Sequence, residues 1–468
     1  MFAPVTLGIK GTNAKSPPPL PQRHRWVRQW MVAKGEQLHQ LVAETLEAVD
    51  SFEQEHHPRI RARHTDARES HEALVHALVV NLAHSALAPS PTGRFAIQAG
   101  NPKKGAGRYN NPAFGKGVRP LLELMHEMGI LDFQLPGTMR GEMSSIAPTA
   151  SFAERVLGLG ITLDDFEFDE REEVLILTRK AGTRAAPSTD RIDYVETPET
   201  QALRDAVRKV NAFIAEGDIG FVADGLSPII DPRDRLLKRR FVLLKGDDEA
   251  HPRFDRGGRL FGGFWINLAS TRRGNIRIEG EHIADLDYAS MFARLAYAAI
   301  GVTPPDGDVY AVPGLEGSHY RSGIKLAFNI FLFDSKKRRE AWPKSDMGVG
   351  VGDDAEAKAN PSGPAANFEG LLPAGWENPE RLRTAILSRH PALEGAFGRR
   401  LGYGLMFTES RVLLAVMGEL MRRNIVALPL HDGLMVAQSK RDEALTVMRE
   451  VVLEVTGAAI PADEKMVG

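Results

Sequence analysis

Asp287 closes the run Gly280-Glu-His-Ile-Ala-Asp-Leu-Asp, and Asp432 sits at the tip of Leu428-Pro-Leu-His-Asp-Gly-Leu-Met-Val. Each acid ends an apolar stretch that reads as a buried strand. The first strand leads into a helical pattern, and the second turns back through His431-Asp432-Gly433. Joining a nucleotide to a 3′ hydroxyl uses two divalent ions about 3.5 to 4 Å apart, bridged by at least two carboxylates. Magnesium takes carboxylates, phosphate oxygens and water, so such a site needs no His or Cys ligand. Asp287 and Asp432 suffice in kind to hold two Mg2+ ions.

A triphosphate also needs cations on one rigid face. Between the two acids, Arg321, Lys325, Asn329 and Phe333 follow at steps of four, which on a helix makes one stripe. Arg321 and Lys325 would hold phosphates, and Phe333 would stack on an incoming base. The plainer alternative is an amphipathic helix with a polar start.

The elements around these residues are legible from periodicity. Leu38, Leu41, Val42, Leu46 and Val49 predict one helix, and Leu74, Val75, Leu78, Val79 and Leu82 another. A basic loop, Lys103 to Arg108, precedes the stripe Leu121, Leu124, Met125, Met128, as in a winged-helix-like DNA-binding unit or a solvated surface loop. Phe166-Glu-Phe and Glu173-Val-Leu-Ile-Leu-Thr predict a hairpin across an acidic turn. Thr197-Pro-Glu-Thr is a capping box opening a helix to Ala215. After it, Arg233, Arg235, Lys238, Arg239, Arg240 and Lys245 form either a phosphate-facing surface or an ordinary solvated one. A helix over Met406 to Leu420 precedes the hairpin around Asp432. Trp265, after Gly262-Gly, reads as core, and Glu409 as either a template contact or a helix-terminus cap.

Composition sets the bounds. The 468 residues are 43% hydrophobic and 26% charged, enough for a large core and two to three domains. Lys plus Arg number 59 against 61 Asp plus Glu, so any nucleic-acid surface has to be local. The absence of cysteine excludes disulfides, cysteine zinc sites and thiol nucleophiles, and fits a reducing compartment. No stretch approaches the roughly 18 apolar residues of a membrane span. A cytoplasmic protein with no membrane partner is the expectation.

The motifs taken in order resemble family A DNA polymerases. Gly258-Arg-Leu, Asn267-Leu and Asp287-Tyr-Ala-Ser-Met-Phe-Ala-Arg resemble that family's T-G-R-L-S-S, N-L-Q-N-I-P and D-Y-S-x-x-E-L-R. Arg321, Lys325 and Phe333 match its fingers-helix pattern, and Leu430-His431-Asp432-Gly433 resembles its V-H-D-E turn. The resemblance spans residues 255–335 and 400–440. It implies that Asp287 and Asp432 bind the metals, that Arg321 and Lys325 hold the triphosphate, and that Lys325 protonates pyrophosphate. It further implies that Arg259 touches the primer terminus, that His431 positions it, and that Arg294 braces the palm.

Three departures fall where nucleotide choice is set. Phe292 stands for the glutamate that helps exclude the ribose 2′ hydroxyl, Asn329 for an aromatic residue, and Gly433 for the last glutamate. The expected fold is α+β, a right-hand core with an antiparallel palm sheet and helical fingers. The divisions expected are a flexible basic arm and helix over 1–55, a helical, winged-helix-like accessory region over 56–185, and a thumb-like helical region over 186–255. Palm and fingers fill 256–468, with a mobile insertion at 340–375.

The implied activity is a Mg-dependent DNA polymerase of the kind carried by plasmids, phages and other mobile elements, acting on template, primer and nucleoside triphosphates, with a small accessory subunit as a further candidate partner. A primase and a catalytically inactive DNA-binding replication protein are the alternatives. A phosphohydrolase built on His431-Asp432 would lack the further His and Asp ligands such sites use.

Overall fold

The computed structural model describes residues 24–100, 107–137, 143–183, 186–342, 368, 370–376 and 378–465. Most of the Pro-rich start, Lys103 to Ala106 of the basic loop and the Gly/Pro-rich segment 343–367 lie outside the described residues. The fold is mixed α+β.

The first part of the chain runs β1 (Arg25–Trp26), β2 (Met31–Ala33), α1 (Glu36–His56), α2 (Thr65–Leu87), β3 (Phe95–Ala96), α3 (Val118–Glu127), β4 (Leu131–Gln134), β5 (Ser145–Pro148), α4 (Ala150–Gly158) and β6 (Phe166–Phe168). The apolar stripe of α1 forms one core with Leu121, Leu122 and Met125 of α3 and with α2, whose residues from Ala77 to Ser85 are buried on every side. A four-stranded sheet in the order β1-β3-β5-β4 closes it. Residues 24–28, expected in a flexible arm, instead supply β1, and Val27 and Trp30 are buried beside it. Apolar side chains after the proline-rich start have a core to fill, which ends the arm.

The hairpin expected from Phe166 to Thr178 does not form. β6 pairs with β2, whereas β7 (Leu175–Thr183) pairs with β8 (Ala186–Arg191) and with β10 (Leu237–Leu243). Phe166 belongs to the first core, while Val174 and Leu177 belong to two others, so the acidic turn joins separate sheets. The capping box is present, with Thr197 Oγ1 accepting from Thr200 N at the start of α5 (Pro198–Glu216). Apart from α5 the stretch 186–255 is strand and loop rather than helical, because Leu237, Arg239, Phe241 and Leu243 bury at period two. β9 (Ile219–Phe221) follows α5, and β11 (Gly257–Gly262) completes the second sheet beside β10.

The remaining elements are α6 (Ser270–Arg273), β12 (Ile276–Ile278), β13 (Glu281–Tyr288), α7 (Met291–Ala299), α8 (Arg321–Phe333), α9 (Pro379–Arg389), α10 (Leu401–Arg422), β14 (Ala427–Leu430), β15 (Gly433–Ala437), α11 (Arg441–Thr456) and β16 (Ala462–Glu464). Their sheet runs β14-β15-β13-β12-β9, with β16 also on β13, and every pairing in it is antiparallel. Pro429 sits on β14 at the sheet edge, where its missing N–H costs no ladder bond. The insertion expected at 340–375 is docked at both described ends, since Trp342 packs on Phe368 with ring centroids 4.4 Å apart.

Candidate functional site

β13 carries two acids on one face. Asp285 and Asp287 are two residues apart, while Ala284, Leu286 and Tyr288 fill the core on the other face. Asp287 lies opposite Gly433, the first residue of β15, so the turn that carries Asp432 arrives at its side. The Tyr288 N–H donates to the Asp432 carbonyl at 3.2 Å, and Asp432 is near enough for its charge to act on the Asp287 carboxyl. The sequence-predicted pair therefore meets.

Three local features hold this geometry. Leu430 and Gly433 pair across a two-residue loop, in which His431 takes φ of 55°. A side chain at position 433 would put its Cβ 2.2 Å from the Leu286 carbonyl oxygen and 3.0 Å from Asp287 Oδ1. Glycine there is the condition for β15 to lie against the acid. Trp265, fully buried, donates Nε1–H to the Pro429 carbonyl at 2.8 Å and ties β14 in place, as its core reading implied.

The electrostatics are those of crowded acids. Burial, and then the charge of Asp432, push the Asp287 carboxyl up to about 7 against the opposing pull of Lys465. Burial also raises Asp285, whose Oδ2 lies 3.8 Å from the Arg273 guanidinium. Asp287 Oδ1 and Asp285 Oδ1 are buried without a hydrogen-bond partner. Burial and the Arg259 charge push His431 down to about 4, so it is a neutral imidazole at neutral pH.

Arg259 donates from Nε and Nη2 to the two oxygens of Glu409 at 2.9 and 2.8 Å. Glu409 is wholly buried in the middle of α10, not at a helix terminus, so the cap reading is corrected. Burial and Asp432 drive its carboxyl upward while Arg259 pulls it down. The parallel fork keeps the pair ionised, since a protonated acid would turn an O–H toward a guanidinium N–H. The Arg259 guanidinium also lies over the Phe292 ring at 5.2 Å. Phe292 stacks on Phe333 at 5.7 Å, and Phe333 meets Tyr403 edge-on at 5.0 Å. Phe333 is thus buried among protein rings rather than presented as a free stacking surface.

The stripe on α8 is present. Arg321 donates to Asp308 Oδ2 at 2.9 Å and to Ser290 Oγ at 3.1 Å, which ties the start of α8 to the turn between β13 and α7. Lys325 is exposed one turn on, close enough to lower the Glu409 carboxyl. Asn329 Oδ1 and Arg294 Nε are buried without partners, and no bracing ion pair of Arg294 is seen among the described residues. A cavity of about 470 Å3 opens at this end of α8, lined by Tyr310, Ser318, Arg321 and Arg389 with Asp308 and Glu316. Neither Asp287 nor Asp432 lines it.

Several described side chains of the basic segments serve the fold. Arg108 pairs with Asp193, Glu173 and Glu196 and lies over Tyr194 at 3.6 Å. Arg233 pairs with Asp164 and Lys238 with Glu172. Arg235 donates to the carbonyls of Ile214, Ala215 and Gly217 that end α5, and buried Arg239 donates to Gly258 O and Ser410 Oγ. Arg240 lies over Phe261 at 4.5 Å. Of the positive face expected over 233–245, Arg235 and Arg239 are buried in the fold, Arg233 and Lys238 are paired with acids, and Lys245 is exposed. The exposed side of α3 is mixed in charge, with Arg119 paired to Glu123 and Glu127 to His57.

Sequence reasoning missed Lys465, Asp285 and Tyr403. Lys465 has no periodic or motif signal, and only β16 brings it to Asp287. Asp285 had one, the Asp-x-Asp spacing on β13. The donor set suits Mg2+, because unpartnered, buried carboxylate oxygens beside a second acid are relieved by a hard cation. Among the described residues no group of three or more His, Cys or acidic side chains forms a metal cage, and Mg2+ that draws its other ligands from phosphate and water does not need one. No helix among the described residues is long and apolar enough to cross a membrane. No protein-family model matches this sequence, and no curated protein is significantly similar to it.

Proposed function

We propose that the chain is a template-directed nucleotidyltransferase, a DNA polymerase of the family A type, acting on a primed DNA template with nucleoside triphosphates. The observation that carries the reading is the approach of Asp432, in the turn that opens β15, to Asp287 on the neighbouring antiparallel strand β13, with the Arg321 and Lys325 face of α8 lying between the two acids in the chain. Two Mg2+ ions bound there would lower the pKa of the primer hydroxyl and neutralise the leaving pyrophosphate. The 3′ hydroxyl gives its proton to water, its oxygen attacks the α-phosphorus, the bond from that phosphorus to the bridging oxygen breaks, and pyrophosphate would leave with a proton from the Lys325 ammonium. Neutral His431 offers a hydrogen bond to the primer terminus without adding charge.

Arg259 acts on the primer as a fixed group, since Glu409 takes one edge of its guanidinium and leaves Nη1 to reach outward. The Phe292 ring, stacked on Phe333, gives a rigid wall where a ribose 2′ hydroxyl would fall. The test is Mg-dependent extension of a primed template. Asp287→Ala abolishes it while DNA binding persists, and extension retained in that variant would sink the assignment. Products from unprimed single-stranded DNA would identify a primase.

A further inference from the structure

The two oxygens of Asp287 have unequal surroundings. Oδ1 is buried and has no hydrogen-bond partner, whereas Oδ2 takes the Lys465 ammonium at 2.8 Å. Lys465 is placed by the backbone and not by chance contact. β16 pairs with β13 in the register Asp463 to Asp287 and Ala462 to Tyr288, and the Lys465 N–H donates to the Asp285 carbonyl at 2.8 Å. The ammonium therefore faces Asp285, Asp287 and Asp432 together. Its side chain is 45% exposed, so it can withdraw into water without opening a cavity.

Resting on the nucleotidyl-transfer reading, we propose that Lys465 is a tethered counter-cation that competes with one of the two divalent ions for Oδ2 of Asp287. An ion at Oδ1 binds with Lys465 in place. An ion that also uses Oδ2 has to displace it, so the second ion loads more weakly, and the negative charge of an arriving triphosphate favours the exchange. The C-terminal strand thereby couples metal loading to substrate arrival, a link that no motif in the chain announces. Lys465 is in this sense a positioning residue, acting through Asp287.

The experiment is Mn2+ titration of the full chain by calorimetry and electron paramagnetic resonance, without nucleotide, with thermal unfolding run on each variant. Lys465→Met and Lys465→Gln are expected to tighten the weaker class of Mn2+ site by about fivefold, the scale of one partly exposed ion pair. Lys465→Arg is expected to behave as the parent. Asp287→Asn is expected to lose the bridged ions. The proposal is overturned if both neutral variants bind Mn2+ as the parent does, or more weakly, while Asp287→Asn still loses binding. If Asp287→Asn leaves Mn2+ binding unchanged, the nucleotidyl-transfer reading fails instead and the proposal falls with it.

Discussion

Arg259 and Glu409, 150 residues apart in the chain, meet in a two-pronged ion pair beside Asp432, with the carboxylate wholly removed from water. The pair fixes β11 to the middle of α10. Removing one member leaves the other charged and buried, which costs about 3 to 5 kcal/mol. Glu409→Ala and Arg259→Met are each expected to destabilise on that scale, and the double variant by clearly less than their sum. Urea unfolding of the four proteins measures the coupling, and strict additivity would show that the two side chains do not act as a pair.

Asp287 has a sign-specific pH signature. Its folded carboxyl is raised to about 7 from the ordinary 3.8, so the folded protein holds a proton that the unfolded chain releases between those values. The stability this contributes is full below about 4 and lost as pH rises through about 7. Asp287→Asn removes the charge and should raise stability at pH 8 by about 1 to 3 kcal/mol, with the difference shrinking toward pH 5. Unfolding curves of both proteins across that range check it, and a gap that widens toward acid would reverse the assignment.

Gly433→Ala tests the approach of β15, and of the Asp432 turn that opens it, to β13. The new methyl would lie 2.2 Å from the Leu286 carbonyl oxygen, so β15 must move away from β13 at a cost of about 3 kcal/mol. Extension activity is expected to fall further than stability explains, because Asp432 moves with the strand. Comparing the midpoint of unfolding with kcat for the folded fraction separates the two effects.

Lys325→Ala removes an exposed ammonium from α8. Its unfolding temperature should stay within a degree or two of the parent, as for other surface changes outside special contacts. KM for the nucleoside triphosphate should rise by about tenfold or more, as one charge-assisted phosphate contact is lost. Steady-state primer extension reads this, and an unchanged KM would take Lys325 out of the triphosphate site.

Much of the fold around the site was readable in the chain. The helices over Leu38 to Val49, Leu74 to Leu82 and Met406 to Leu420 have apolar residues at periods set by local geometry. The strand that carries Asp287, the strand that leads into the Asp432 turn and the stripe Arg321, Lys325, Asn329 on α8 are equally local patterns. Residue type and spacing also selected the acids, since burying a carboxylate at a strand end is costly without a use.

Tertiary structure alone decided the partners. Burial of Phe166 and Val174 in different cores sent the expected hairpin to separate sheets. The basic runs at Arg108 and Arg233 to Arg240 looked free in the sequence because their acidic and aromatic partners, Asp193, Asp164, Glu172 and Phe261, lie elsewhere in the chain. Glu409 and Lys465 come to the site only through packing of α10 and pairing of β16. Local periodicity determines which face of an element is apolar. Which charge meets which across that face depends on contacts distant in sequence, and for Asp287 those contacts are Asp432 and Lys465.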